Sequence, residues 1–156
     1  VATAAWIASP LLQKNDAAGS SKTVNGQSMH QVGDLTFVVI QSPAQLDAQL
    51  IKAKEEKKLV LLDFYADWCV TCKEMEVLTF AKPAVAQRLK AYELIQVDVT
   101  KNSAEDRLLL KRFGLFGPPG ILIFNLDSQE QKNQRVIGFM PPQRFMERLK
   151  KISESP

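Results

Sequence analysis

The two cysteines of the chain, Cys69 and Cys72, are separated by two residues. On one turn of a helix, residues at this spacing share a face, and their Cα atoms fall within the ~4.4–6.8 Å that a disulfide tolerates. A helix start also favours thiolate at Cys69, because unpaired N–H groups and the positive end of the helix dipole lie there. The expected chemistry is thiol–disulfide exchange, with Cys69 as the exposed attacking thiol and Cys72 as the shielded resolving thiol.

Three other uses of a cysteine pair compete with exchange. A structural zinc ion needs four ligands, and the chain offers two thiols and one distant imidazole, His30. A structural disulfide stabilises a fold more when it closes a long loop than when it joins near neighbours. Two unpaired core cysteines fit a strand-to-helix junction poorly. A C-x-x-C pair that follows a buried strand in an α/β pattern therefore favours a redox motif.

Length and composition indicate one globular domain with room for a terminal extension. The chain has 156 residues, of which 46% are hydrophobic and 24% charged, which excludes a wholly disordered chain, a collagen-like repeat and a disulfide-dense mini-protein. Lys and Arg exceed Asp and Glu by only 20 to 17, too little to indicate nucleic-acid binding. With one histidine and no Gly-rich phosphate loop, we expect no metal, flavin or nucleotide cofactor, and the only redox group expected is the cysteine pair.

Residues 1–34 are predicted to form a flexible N-terminal segment or linker. Residues 1–8 are apolar but fall short of the roughly 20 residues of a membrane span. They fit the trimmed end of a span, a remnant of processing, or a mobile terminus; no signal peptide is recognisable. Residues 13–33 are small and polar without an apolar period, and His30 is expected to take no part in the site. The ordered domain is placed at residues 35–156.

Strands and helices alternate through that domain in the order βαβαβαββα. Apolar and β-branched runs predict strands at 35–40, 59–65, 94–99, 121–124 and 135–139. Capping residues and prolines predict helices that begin near Pro43, Cys69, Ser103 and Pro142, with a restart at Pro83. This order predicts an α/β fold with a central mixed β-sheet flanked by helices. The closing strand pair should be antiparallel, because its loop is too short for a parallel crossover.

The stretch from Asp63 to Lys73 (DFYADWCVTCK) resembles the active-site segment of the thioredoxin superfamily. Residues 117–121 (GPPGI) resemble the cis-proline loop of that family. The flanking motifs are similar to one branch, the C-terminal domains of the DsbD family of bacterial membrane reductant conduits. Those motifs are Asp67-Trp68, Lys73-Glu74-Met75-Glu76, Thr79-Phe80, Asp98-Val99-Thr100 and Gly138-Phe139-Met140. The resemblance covers roughly residues 35–152 and implies a thioredoxin fold.

The resemblance implies roles for individual residues. Cys69 would attack and Cys72 would resolve. Pro119 would follow a cis peptide bond, and the loop that it shares with Pro118 would dock partner backbone. Trp68 would contribute to the partner surface, although simple packing is the alternative.

Two acidic residues match the family's acidic neighbours of the active site, Asp63 and Glu76. Asp63 lies in an apolar strand, so burial should raise its pKa. Glu76 falls on the helical face of both cysteines. Both charges would disfavour a thiolate at Cys69 and oppose the helix dipole. The alternative for each is an exposed surface carboxylate.

The function implied is that of a protein-disulfide reductase, an enzyme of thiol:disulfide interchange. It would take electrons from a membrane-embedded dithiol and pass them to a periplasmic protein. The partners would be the transmembrane dithiol domain and the N-terminal periplasmic domain of the same parent protein, in the bacterial inner membrane. The isolated domain would be a monomer. A stand-alone thioredoxin-like reductase of cytochrome c maturation and a thioredoxin-fold binding module are the alternatives.

Overall fold

The computed structural model describes residues 20–154. Its strands are β1 (Ser20–Val24), β2 (Gln27–Val32), β3 (Leu35–Ile40), β4 (Val60–Tyr65), β5 (Glu93–Asp98), β6 (Gly120–Phe124) and β7 (Val136–Ile137). Its helices are α1 (Pro43–Glu55), α2 (Val70–Met75), α3 (Pro83–Leu89), α4 (Ala104–Arg112) and α5 (Pro142–Glu154). Helix α2 continues directly into a π-helical segment, Glu76–Phe80, and a short 3-10 turn spans Lys132–Gln134.

The strands form one mixed sheet in the order β1-β2-β3-β5-β4-β6-β7. Strand β5 runs parallel to both β3 and β4, whereas β6 is antiparallel to β4 and β7 is antiparallel to β6. The predicted mixed sheet and its antiparallel closing pair are therefore confirmed. Because β4 and β5 are parallel, their carboxyl ends share one edge of the sheet, and the cysteine motif follows β4 at that edge.

Helices cover both faces of the sheet. Helices α1 and α4 pack on one face, and α3, α5 and the π-helical segment pack on the other. Strand β4 is buried along its whole length, as expected for a central strand covered on both sides. Leu62 and Phe64 belong to the first core, and Leu61 belongs to the second. Asp63 therefore enters the face of α3, α5 and the π-helical segment, by the alternation of side chains along a strand.

The prediction of a flexible linker is wrong for residues 20–34. These residues form the β1–β2 hairpin, which pairs with β3 and extends the sheet. The Asn25-Gly26 turn has positive φ at both positions, 52° and 76°, the arrangement of a tight two-residue hairpin turn. Val32 anchors the hairpin because its side chain is fully buried. The predicted boundary at residue 35 thus falls inside the sheet, and residues 1–19 lie outside the described part.

Capping places the helices as predicted. Ser42 Oγ accepts a hydrogen bond from the Gln45 N–H at 3.2 Å at the start of α1. Ser103 and Asp106 form a reciprocal capping box at the start of α4, with distances of 3.1 and 2.9 Å. Each cap satisfies backbone N–H groups that the first helical turn leaves without a partner.

Two predicted elements differ in extent from the observed ones. The helix after Cys69 changes to π-helical geometry at Glu76, which side-chain periodicity does not predict. The strand predicted at 135–139 contains only Val136–Ile137. It ends there because Gly138 adopts a φ of +83°, outside the range of an extended strand.

Two truncations test whether the β1–β2 hairpin belongs to the folded domain. Removal of residues 1–34 deletes β2 with Val32, and burial of one such side chain contributes about 1.5–3 kcal/mol. We expect the free energy of unfolding in urea to fall by at least that amount. Removal of residues 1–26 keeps β2 and serves as the matched control, with a much smaller loss. Equal stability of the two variants would show that β2 does not belong to the folded domain.

Candidate active site

The cysteine motif lies where β4 leaves the sheet. Cys69 is the N-cap residue of α2, and its sulfur accepts a hydrogen bond from the Cys72 N–H at 3.1 Å. The two residues form a disulfide with a Cα–Cα distance of 5.3 Å, within the predicted range. The predicted position of the pair at the start of a helix is confirmed.

Both cysteines are buried in this oxidised form. The exposed fraction is 6% for Cys69 and 3% for Cys72. Cys69 is therefore the more exposed of the two, as predicted, but the prediction that its thiol is openly exposed is wrong for this form. The reason is that both side chains belong to the core on the α1–α4 face. The Cys72 sulfur also lies 3.8 Å from the Phe64 carbonyl oxygen. Only a small part of the Cys69 surface is therefore open to a partner in the oxidised form.

A proline loop lies beside the motif. The Pro118-Pro119 peptide bond is cis, as predicted. The loop is placed by the sheet, because Gly120 at the start of β6 pairs with Phe64 near the end of β4. On its other side the loop is held by the Gly138 N–H, which donates to the Pro119 carbonyl oxygen at 3.4 Å.

The backbone of Gly120 packs closely against the Leu115 side chain. A Cβ atom on Gly120 would lie 2.9 Å from Leu115 Cδ1, closer than two carbon atoms normally approach. The Leu115 side chain would have to move for any larger residue to fit. Because Leu115 Cδ1 is the end of a flexible side chain, a larger residue at position 120 would require a shift of that side chain and not of the backbone.

Exposed apolar side chains flank the motif and the proline loop. Trp68 is 61% exposed, and Val70, Phe116, Ile137 and Phe139 also expose much of their surface. Val70 follows Cys69 directly, and Ile137 is paired with Gly120 in the sheet. The cysteine motif and the proline loop are therefore bordered by apolar side chains that are open to solvent.

The residues around Thr100 hold Trp68 in place. The Trp68 Nε1–H donates to the Thr100 carbonyl oxygen at 3.1 Å, and the Asp67 N–H donates to Thr100 Oγ1 at 2.9 Å. The Thr100 hydroxyl in turn donates to Asp98 Oδ1. The Asp98-Val99-Thr100 motif therefore fixes the loop that precedes Cys69.

Asp63 is buried, as predicted, and its surroundings favour the protonated form. Burial is the main cause that raises its pKa well above the ordinary value, and the negative charge of Glu76 raises it further. Gln96, its neighbour on β5, donates a long 3.5 Å hydrogen bond to Asp63 Oδ2, which lowers the pKa in part. Asp63 is thus placed to hold or release a proton inside the domain.

Glu76 is also buried, with 1% of its surface exposed, so it is not a surface carboxylate of α2. It begins the π-helical segment, a geometry often found at functional sites. The same segment is tied to the far side of the site, because the Thr79 hydroxyl donates to the Met140 carbonyl oxygen at 2.6 Å. The Thr79-Phe80 and Gly138-Phe139-Met140 motifs therefore meet in space.

The partner of Glu76 is His30, and the prediction that His30 takes no part in the site is wrong. His30 Nε2 lies 2.7 Å from Glu76 Oε1, and its ring centroid is 5.2 Å from that of Tyr65. The error followed from the missed hairpin, because a residue in a linker has no fixed neighbours. The Asn25-Gly26 pair, a strong hairpin signal, could have placed His30 in a strand.

Residues 20–154 contain neither a candidate metal cluster nor a candidate membrane span. No cluster of three or more His, Cys, Asp or Glu side chains lies close enough to hold a metal ion in this range. No helix in the same range is long and apolar enough to cross a membrane. The redox group on these residues is the Cys69–Cys72 disulfide.

The chain is similar to known proteins in sequence and in fold. The family model described as thioredoxin-like matches residues 40–125. The thiol:disulfide interchange proteins DsbD of Klebsiella pneumoniae and Vibrio vulnificus are 48% and 44% identical to this chain over 123 residues, which is 79% of it. The chain spans about a fifth of the length of these relatives, 20% and 21%.

Solved structures agree with the sequence relatives. The reduced and oxidised forms of the Neisseria meningitidis DsbD C-terminal domain are 38% identical to this chain, with TM-scores of 0.64 and 0.60. The matches cover 72% and 70% of this chain and 97% and 93% of those domains. A thioredoxin from Thermus thermophilus, 20% identical with a TM-score of 0.59, shares the fold.

The raised pKa of Asp63 predicts a pH-dependent stability. As pH rises above the ordinary carboxyl pKa of 3.8, the unfolded chain releases a proton that the folded protein still holds, so stability falls up to the raised pKa. We expect Asp63→Asn to remove this loss and to gain about 1–3 kcal/mol at pH 7, the scale of an unmet buried polar group.

The measurement is urea unfolding of the oxidised protein between pH 4 and pH 8. The difference in unfolding free energy between Asp63→Asn and wild type should grow with pH. Asp34→Asn, at an exposed position, is the control and should show no such growth. A difference for Asp63→Asn that is constant with pH would contradict a raised pKa.

Proposed function

The chain belongs to the thioredoxin-like family and to its DsbD C-terminal branch, and we propose that it is a thiol–disulfide reductase that relays electrons between two protein partners. The observation that carries the proposal is the Cys69–Cys72 disulfide at the start of α2, in a domain that also has a cis-proline loop and two buried carboxylates. The same disulfide can accept two electrons from one partner and deliver them to the next.

The relay consists of two exchange reactions. A thiolate of the donor attacks Cys69 Sγ, the Cys69–Cys72 bond breaks, and Cys72 leaves with the electron pair. The second donor thiol then attacks the donor's sulfur in the mixed disulfide. This attack releases Cys69 and leaves the donor as a disulfide. The two protons given up by the donor thiols are balanced by the two taken up at Cys69 and Cys72. The reduced pair repeats these steps in reverse on the acceptor's disulfide.

The length of the relatives supports partners within one parent protein. Because the chain spans about a fifth of the DsbD proteins that it matches, we propose a membrane-embedded dithiol domain as donor. The N-terminal periplasmic domain of the same parent is the proposed acceptor. The domain would then lie in the periplasm, attached to the bacterial inner membrane, and would act as a monomer. No nucleic acid or small-molecule cofactor enters this scheme.

The alternatives have less support. A binding module without redox chemistry does not need two cysteines in bonding distance, and this chain has them. A stand-alone reductase of cytochrome c maturation would use the same chemistry. The identity to DsbD extends over 79% of the chain, which favours the DsbD branch.

We assign the partner surface to the exposed residues at the rim of the site. Trp68 presents its ring beside Cys69 while its N–H is held by Thr100. Pro118 and Pro119 form the opposite side, half-buried in the loop. A partner strand or loop that reaches Cys69 would pass between these two features.

The order of attack can be tested with single cysteine variants. In reduced Cys72→Ser, a peptide disulfide substrate should remain trapped on Cys69 as a mixed disulfide, because no second thiol can resolve it. Non-reducing electrophoresis and mass spectrometry identify the bonded residue. Cys69→Ser is the control and should trap little, since Cys72 is the more deeply buried thiol. Preferential trapping on Cys72 would reverse the assignment.

The role of the carboxylates gives a second test of this mechanism. Two acidic groups in low dielectric should raise the apparent pKa of Cys69 above that of a free cysteine. They outweigh the helix dipole, which acts as only about half a charge. Asp63→Asn and Glu76→Gln should each lower that pKa by about one unit or more, the scale of a nearby charge. The apparent value belongs to the coupled groups together.

The measurement is the rate of alkylation of reduced Cys69 as a function of pH. Glu74→Gln removes an exposed carboxylate from the same helix and is the matched control, with little expected change. A wild-type Cys69 that titrates well below a free cysteine would refute the tuning role and leave the exchange chemistry standing. So would failure of both buried substitutions to move the titration.

A further inference from the structure

His30 makes a buried contact that the exchange mechanism above does not use. His30 is 4% exposed and Glu76 is 1% exposed. The distance between His30 Nε2 and Glu76 Oε1 is 2.7 Å. The two residues come from β2 and from the start of the π-helical segment, 46 positions apart. A contact of this length between buried ionisable groups is a strong hydrogen bond, and either partner alone would be costly to bury.

The surroundings of His30 contain other groups that can carry charge. A pocket of about 230 Å³ opens beside the ring, and polar residues of four strands and two loops line it. The ionisable groups that face His30 across the pocket or in direct contact are Glu76, Tyr65, Asp67, Asp98 and Lys22. Among them, only Glu76 is in direct hydrogen-bond contact with the imidazole in the described structure.

We propose that His30 is a positioning residue for the redox pair: it keeps the buried Glu76 carboxylate ionised and fixed in direction at the C-terminal end of α2, the helix that Cys69 caps at its start. The proposal rests on the thiol–disulfide function proposed above and adds a residue to it. His30 touches neither cysteine in the contacts described, so it acts through Glu76. The β1–β2 hairpin is thereby part of the active site and not an accessory to the fold.

The physical argument concerns the cost of a buried charge. A carboxylate with 1% exposure and no hydrogen-bond donor is strongly disfavoured relative to its neutral form. The His30 ring supplies the donor at 2.7 Å. Glu76 is close enough to Asp63 and Tyr65 for its charge to raise the pKa of both. Loss of His30 should therefore remove the negative charge of Glu76 from the site, as the substitution Glu76→Gln does.

Three variants test this role against a merely structural one. His30→Phe keeps an aromatic ring but removes the donor, and should lower the apparent pKa of Cys69 by about one unit, as for loss of a nearby charge. His30→Gln places an amide N–H near the position of Nε2 and should restore the wild-type value. The double variant His30→Phe/Glu76→Gln should match Glu76→Gln alone, because both changes remove the same charge.

A measurement on the wild-type protein covers the case in which His30→Phe does not fold. The chain has one histidine, so its imidazole proton resonances in an NMR titration are unambiguous. In the reduced protein the Hε1 shift should show an inflection where Cys69 ionises, and the oxidised protein should lack it. In Glu76→Gln the inflection should shrink, since the coupling passes through Glu76.

Several outcomes would overturn the proposal. They are a folded His30→Phe variant with unchanged or increased Cys69 pKa, a double variant with additive shifts, or a His30 resonance that ignores the titration of Cys69. Failure of the proposed function is distinct. If the proposed function is wrong, the wild-type protein shows no Cys69-dependent exchange. If only the positioning role is wrong, the His30 variants keep that exchange.

Discussion

The burial of two carboxylates in one place is the constraint on which the site depends. Asp63 and Glu76 lie close enough to interact, and neither is exposed to water. Such an arrangement is stable only if each group is protonated or receives a hydrogen bond. Gln96 and His30 supply those bonds from two different strands. The sheet therefore has to bring β4, β5 and β2 to the same region before the cysteines can be tuned.

The topology meets this requirement through the strands that pair with β4. The central strand β4 carries Asp63 and ends at the cysteine motif, and its register with β6 brings the cis-proline loop to the same edge. Its register with β5 sets Gln96 opposite Asp63. Helix α2 then returns Glu76 to the face that Asp63 enters. One strand thus determines the position of the disulfide, the loop and one of the acids.

Local signals in the sequence predicted the elements and most of the site. Ser103 predicted a helix start, the C-x-x-C spacing predicted the redox pair, and the proline pair predicted the loop. The contact between His30 and Glu76 could not be predicted in the same way, because it joins residues 46 positions apart. The change to π-helical geometry at Glu76 also follows from tertiary packing and has no local signal. The missed hairpin is different, since its Asn25-Gly26 turn was a local signal that the polar composition outweighed.

The β1–β2 hairpin also bears on the solubility of the domain at high concentration. Without it, β3 would end the sheet as a long apolar edge, ready to pair with another chain. In the described residues that edge is instead β1, a short polar strand that carries an exposed lysine, Lys22. The opposite edge is β7, only two residues long. Short and charged edges are the usual protection against strand-to-strand aggregation. The domain can therefore expose apolar side chains around the cysteine motif without pairing with copies of itself along the sheet edges.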